Sequence, residues 1–271
     1  MEGKSGVERF LELVPVYTAW HKVLLLYSLQ LLIFIVFMVF FWWISSKFLI
    51  GALIAQLAVS TYLAFHFIYM ADKSEKIREK YRKKYGRLAG QHFWLNYLSY
   101  INPIVSSAFY FPLILKNNYF LFQGVVSSYD HLITRNIFPE YIAIPFGVIV
   151  IIIGLLIRKP SGGYGIDVDG YLYTIFNEKG KLIKDGIFKF IRNPQYLCRG
   201  IIAVGFGVIA NNLLAILVGL IHFISYCAII PAEDRELTRR FGAEFEEYRK
   251  KVPALLPKYE NWKKFLKLLF S

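Results

Sequence analysis

Two polar clusters flank a long uncharged run near the end of the chain. The first is Asp185–Gly186–Ile187–Phe188–Lys189–Phe190–Ile191–Arg192–Asn193–Pro194–Gln195–Tyr196, and the second is Glu233–Asp234–Arg235–Glu236–Leu237. Between them Gly200–Ala232 contains no Asp, Glu, Lys or Arg. If that run folds back on itself, Arg192 and Arg199 meet Glu233 and Asp234 on one side. Acids and bases converging over an apolar cavity suit an amphiphilic substrate and a charged cofactor. The same residues also have an ordinary reading. Arg192 can reach lipid phosphate, and Glu233 and Asp234 can favour a helix dipole from a first turn. Pro194 fits a first helical turn. No Gly-rich phosphate loop, zinc-ligand spacing or nucleophile elbow accompanies the clusters. Gly205 and Gly207 read as close helix packing. Cys198 and Cys227, the only cysteines, read as small hydrophobes, with no disulfide or metal site.

The elements that must position these clusters are membrane spans. The chain has 271 residues, 56% hydrophobic and 18% aromatic, with a mean hydropathy of +0.43. Its long uncharged runs exclude an ordinary soluble domain. The net charge of +13 fits cytoplasmic loops facing anionic lipid, with no nucleic-acid partner implied. Val23–Ser46, Phe48–Ala71, Phe93–Leu115 and Tyr141–Ile157 read as four spans, the third kinked by Pro103 and Pro112. As a single helix Gly200–Ala232 would be about 50 Å long, beyond the roughly 30 Å hydrocarbon core. Asn211–Asn212 interrupts it, so two helices in a hairpin fit better. Of the 32 Lys and Arg, only Lys47, Lys116 and Arg135 fall in loops on the opposite side. The expected fold is an all-α polytopic membrane protein of about six transmembrane helices, with a helical hairpin near the C-terminus. Both termini and both polar clusters are expected to be cytoplasmic. No cleavable signal peptide is expected. Shorter elements are an interfacial helix over Glu8–Tyr17, a basic loop over Asp72–Gln91 and a β-hairpin over Tyr171–Ile183. After Ala232, Leu237, Phe241, Phe245 and Tyr248 predict one amphipathic helix. Trp262, Phe265, Leu266, Leu269 and Phe270, alternating with Lys263, Lys264 and Lys267, predict a helix lying on an anionic membrane face.

The first cluster resembles the "DG-x-Y/F-R/K-Y/F-x-R-H/N-P-x-Y" signature of isoprenylcysteine carboxyl methyltransferases and related phospholipid-type methyltransferases. Glu233–Asp234, Leu237, Phe241–Gly242, Phe245, Tyr248 and Val252–Pro253 resemble that family's "EE-x-x-L-x-x-x-FG-x-x-Y/F-x-x-Y-x-x-x-VP". The likeness covers about Tyr164–Pro257. It implies S-adenosylmethionine in a small cytoplasmic cofactor-binding region, with a lipophilic or prenylated acceptor entering from the bilayer and no metal. By position, Arg192 and Glu233 become the catalytic residues, and Asn193, Pro194, Tyr196, Gly200, Glu233 and Asp234 the cofactor-binding set. Residues 1–157 then form an N-terminal membrane scaffold and 158–271 a methyltransferase-like catalytic region. There are departures: Asn193 stands where prenylcysteine enzymes commonly have His, Cys198 stands where Gly is common, with Gly200 displaced by two, and Asp234 replaces the second Glu. Two other readings are an NADPH-dependent sterol or enone reductase, through the likeness of Asn193–Pro194–Gln195–Tyr196 to an "HPNY" motif, and a non-enzymatic lipid-binding membrane protein.

Overall fold

The computed structural model describes residues 20–47, 50–116, 135–161 and 182–270. The expected helix over Glu8–Tyr17 and most of the expected β-hairpin lie outside these residues. Among the described residues the helices are α1 (Trp20–Lys47), α2 (Gly51–Asp72), α3 (Ser74–Tyr85), α4 (Ala89–Ile114), α5 (Glu140–Arg158), α6 (Pro194–Ala210), α7 (Leu213–Phe241), α8 (Ala243–Lys251) and α9 (Trp262–Leu269), with no strand. The all-α polytopic architecture is therefore the observed one. α1, α2, α5 and α7 are long and apolar enough to cross a membrane, while Tyr100–Ile114 of α4 and all of α6 are shorter apolar stretches.

The six apolar helices alternate in direction between two ends. At one end Phe41, Ala52, Phe111, Leu115, Ala210 and Leu214 form a single buried cluster. There the chain turns from α6 to α7 through Asn211, the one described non-glycine residue in the left-handed region (φ 65°). Asn211 exchanges hydrogen bonds with Phe138, its Nδ2 donating to the carbonyl at 2.7 Å and its Oδ1 accepting from the amide at 3.0 Å. Asn212 Oδ1 accepts from Ala215 N at 2.8 Å, capping α7, and Asn212 Nδ2 donates to Leu115 O at 3.0 Å. Two short amides thus close the hairpin and tie it to the end of α4 and the start of α5. The expected break at Asn211–Asn212 is where the turn falls.

Small residues let these helices approach closely. A Cβ on Gly205 would stand 2.7 Å from Ile151 of α5, and one on Gly207 2.7 Å from the Ala215 carbonyl of α7. The packing reading of Gly205 and Gly207 holds.

Three expectations change. The basic stretch after Asp72 is not only a loop, because Ser74–Tyr85 is helical, with Ile77 and Tyr81 packed over Phe93 and Leu63. The amphipathic segment after Ala232 is not one helix. α7 continues to Phe241, and Gly242 (φ 54°, ψ −131°) takes a conformation that glycine reaches without strain and that α8 starts from. Leu237, Phe241, Phe245, Tyr248 and Val252 still form one cluster, folded across the break. Last, α9 does not use its whole apolar surface on a membrane. Phe265 and Leu269 are buried against Ile187, Ile191 and Cys198 of the same chain.

Candidate functional site

At the opposite end from Asn211, the segment 185–193 enters α6. Gly186 (φ 60°) opens a single 3₁₀ turn, Gly186–Lys189. Ile187 and Ile191 are fully buried, so the segment is pinned by two side chains one turn apart. It is also pinned by its backbone. Arg192 N donates to Pro253 O and Asn193 N to Ala254 O, both at 2.9 Å. The Val252–Ala254 strip behind α8 thereby satisfies two amides that sit ahead of a helix, where intrahelical partners are lacking. Pro194 then opens α6 with no amide to satisfy. Asn193 lies just before it, and its Nδ2 makes a long 3.4 Å contact to Ala254 O. Tyr248 Oη donates to Phe188 O at 2.7 Å. Burial pushes that phenol up to about 12, so the donor stays protonated across physiological pH.

Arg192 turns inward. Nη1 donates to Asp234 Oδ1 and Nε donates to Val252 O at 3.0 Å, and the guanidinium lies 5.9 Å from the Phe245 ring centre. The pair is nearly enclosed, with side chains only 10% and 13% exposed. Four residues further on, in the first turn of α6, Tyr196 Oη donates to Glu233 Oε1. The Tyr196 ring stacks on Tyr226 (5.2 Å between centres, 16° between planes), and the Arg199 guanidinium lies 5.8 Å from the Tyr226 ring. The hairpin therefore brings both halves of the sequence pattern into direct contact. Arg192 pairs with Asp234, and Tyr196 with Glu233. Gly200 is different. A Cβ there would stand 2.0 Å from the Phe223 ring, so its smallness serves packing between α6 and α7.

Several participants were not assigned to the site from the sequence pattern. Arg235 holds Asp72 at the end of α2 through Nη2 at 3.1 Å, and Arg239 Nη2 donates to Ala71 O at 2.8 Å. The acid-bearing part of α7 is thus fastened to a helix of the first half of the chain. Ala64 and Phe67 of α2 also pack against Tyr226 and Tyr196. His222 is 1% exposed, between Phe109 and Tyr226, and neither ring nitrogen has a hydrogen-bond partner among the described residues. A histidine inside an otherwise uncharged run was the available clue. Among the described residues no group of three His, Cys, Asp or Glu side chains is placed to hold a metal ion.

Chemically, the end of the hairpin offers an acid (Glu233) on a phenol, the half-buried ring of Tyr196 backed by the buried Tyr226, and an enclosed ion pair. A carboxylate binds hydroxyls or an ammonium group, and an aromatic face favours a cation.

The stretch that carries this arrangement is similar to known proteins. The phospholipid methyltransferase family model matches residues 142–244, from α5 into α8. A probable protein-S-isoprenylcysteine O-methyltransferase of Oryza sativa subsp. indica is 30% identical over 151 residues, covering 54% of this chain and 78% of the relative. The protein-S-isoprenylcysteine O-methyltransferase of Schizosaccharomyces pombe is 33% identical over 82 residues, 30% of this chain and 35% of the relative. The nickel-cobalt-cadmium resistance protein NccN of Alcaligenes xylosoxydans xylosoxydans is 32% identical over 88 residues, 32% of this chain and 41% of the relative. No solved structure matches.

Proposed function

The chain belongs to the isoprenylcysteine O-methyltransferase family of membrane methyltransferases, and on that premise we propose that it methylates a lipophilic or prenylated acceptor from S-adenosylmethionine. The acceptor group is a carboxylate, amine or hydroxyl. The observation that carries the reading is the meeting of Arg192 with Asp234 and of Tyr196 with Glu233 at one end of the α6–α7 hairpin. In this reading residues 158–271 form the catalytic region, and the site and both termini face the cytoplasm.

The residues present fit the cofactor. Glu233 engages Tyr196 through Oε1, and its Oε2 is the candidate acceptor for a ribose hydroxyl or an ammonium group. The half-buried Tyr196 ring, stacked on the buried Tyr226, is the aromatic group beside Glu233 suited to a sulfonium cation. When bound, S-adenosylmethionine supplies an electrophilic methyl group on that cation. Displacement at such a carbon needs alignment and exclusion of water more than a strong acid or base. Arg192 has Nη1 and Nε engaged within the protein, so its main task is to fix Asp234 and the 185–193 segment, leaving Nη2 toward an anion. Asn193 and Pro194 set the entry to α6. Gly200, packed against Phe223 and without a side chain, would meet the cofactor through its backbone alone.

The test is calorimetric titration of the purified protein with S-adenosylhomocysteine and, separately, with NADPH. Binding of the first alone, lost in Glu233→Ala, supports the methyltransferase reading and leads to acceptor screening with a labelled methyl donor. Binding of NADPH alone replaces it with the reductase. Binding of neither by folded protein replaces it with a non-enzymatic lipid-binding role.

A further inference from the structure

Helix α9 divides its surface into three sectors. At about 100° per residue, Phe265 and Leu269 point together into the protein. Trp262, Leu266 and Phe270 lie about 80° around from them, and Lys263, Lys264 and Lys267 about a further 100° on. The inward sector is buried against Ile187, Ile191, Leu197, Cys198 and Ile157. These residues lie where α5 ends and α6 begins, at the rim of the apolar helices, so α9 rests at interface height. The second sector is open although it is apolar: Trp262 is 38% exposed, Leu266 45% and Phe270 73%. The three lysines are exposed, and none has an ion-pair partner among the described residues. One helix face on protein, one apolar face at the rim and one cationic face above it is the arrangement of an amphipathic helix seated at a charged bilayer surface.

We propose that α9 is a binding surface for acidic phospholipid headgroups, and that its seating on them secures the segment that carries Arg192. The coupling is direct. The residues that α9 clamps, Ile187 and Ile191, are the two that pin this segment. The Arg192 and Asn193 amides leave it to bond Pro253 and Ala254, only a few residues ahead of α9. A cationic side chain near an anionic bilayer surface gains roughly fivefold in binding, so three lysines give a strong preference over zwitterionic lipid.

The experiment uses the full chain in nanodiscs of phosphatidylcholine alone or with phosphatidylglycerol, and needs no methyl donor, so its outcome is separate from that of the methyltransferase reading. The component of tryptophan fluorescence removed by Trp262→Phe is measured with brominated phosphatidylglycerol and with brominated phosphatidylcholine at equal bulk fractions. Hydrogen exchange is followed in the peptide 187–193. The expected results are severalfold stronger quenching by the brominated phosphatidylglycerol and severalfold slower exchange when phosphatidylglycerol is present. Lys263→Glu combined with Lys264→Glu and Lys267→Glu should abolish both differences while leaving exchange in α7 unchanged. Equal quenching by the two brominated lipids, or exchange indifferent to phosphatidylglycerol, overturns the proposal. If the triple variant loses protection throughout, Lys263→Gln with Lys264→Gln and Lys267→Gln takes its place, and an undiminished preference for phosphatidylglycerol there overturns the proposal.

Discussion

Arg192 and Asp234 offer the sharpest perturbation. Both side chains are nearly enclosed (10% and 13% exposed), so solvent screens their attraction little. Removing one partner from a buried pair leaves an uncompensated charge and costs about 3–5 kcal/mol. Arg192→Met should fall in that range, because Asp234 loses its ion-pair partner. Asp234→Asn should cost less. The amide oxygen still accepts from Nη1, and Arg192 keeps Val252 O and the face of Phe245. Losing the carboxylate's charge while a bond from the guanidinium to a neutral oxygen remains then costs about 1–2 kcal/mol. Combining Arg192→Met with Asp234→Leu removes both charges, and its total should fall at least about 2 kcal/mol short of the sum of Arg192→Met and Asp234→Leu measured separately. The assay is unfolding of the purified protein in mixed micelles with rising dodecyl sulfate fraction, followed by helical circular dichroism. Single changes that each cost under about 1 kcal/mol and add in the double variant would refute the reasoning. The pair would then behave as a surface ion pair.

The same unfolding assay checks three more outcomes. Gly200→Ala should destabilise by about 1–3 kcal/mol through overpacking on Phe223, and Phe223→Leu in the same chain should recover much of that. Asn211→Ala loses both bonds to Phe138 and leaves at positive φ a residue that tolerates it less well than asparagine. It should cost about 2–4 kcal/mol, of which Asn211→Gly restores about 1. Asp72→Asn should cost under about 1 kcal/mol, since its partner Arg235 is 55% exposed and the pair is screened. A loss above 2 kcal/mol there would mean that the contact between α2 and α7 is far more enclosed than the structure places it.

The hairpin was legible because its signals are crude and strong. An uncharged run too long for one crossing has to turn, and Asn211–Asn212 was the only polar interruption long enough to do it. Charge placement likewise indicated that Arg192 and Glu233 leave the apolar region on one side, and they do meet partners across the hairpin. The pairing itself, Arg192 with Asp234 and Tyr196 with Glu233, depends on which turn of α6 faces which turn of α7, and residue types do not encode that register. The break at Gly242 was hidden for a different reason. Leu237, Phe241, Phe245 and Tyr248 keep helical spacing through it, so the pattern reads as continuous while one backbone torsion redirects the chain. The two-residue pairing of Arg192–Asn193 with Pro253–Ala254 uses main-chain groups alone and leaves no trace in side-chain identity. Asp72 looked like one charge in a basic loop, and only the third dimension sets it beside Arg235. For α9, the apolar and cationic pattern was plain, but which part of the apolar surface meets protein and which part meets lipid depends on the partner helices.

The two asparagines at the α6–α7 turn have a mechanical consequence. They lash the hairpin to the end of α4 and the start of α5, whereas the opposite end is joined to α2 by a half-exposed ion pair and the Arg239 bond to Ala71 O. Were α6 to pivot at the turn, against the bonds that pin the 185–193 segment, the turn would be its fulcrum and α6 a lever. With 17 residues, its arm is about 25 Å long. A tilt of about 5° at the fulcrum, too small to disturb the short amide bonds there, carries the Arg192 end through about 2 Å over that arm. That travel is comparable with the difference between a hydrogen bond made and a hydrogen bond lost. Rigidity at one rim of the molecule thus sets the sensitivity of the other.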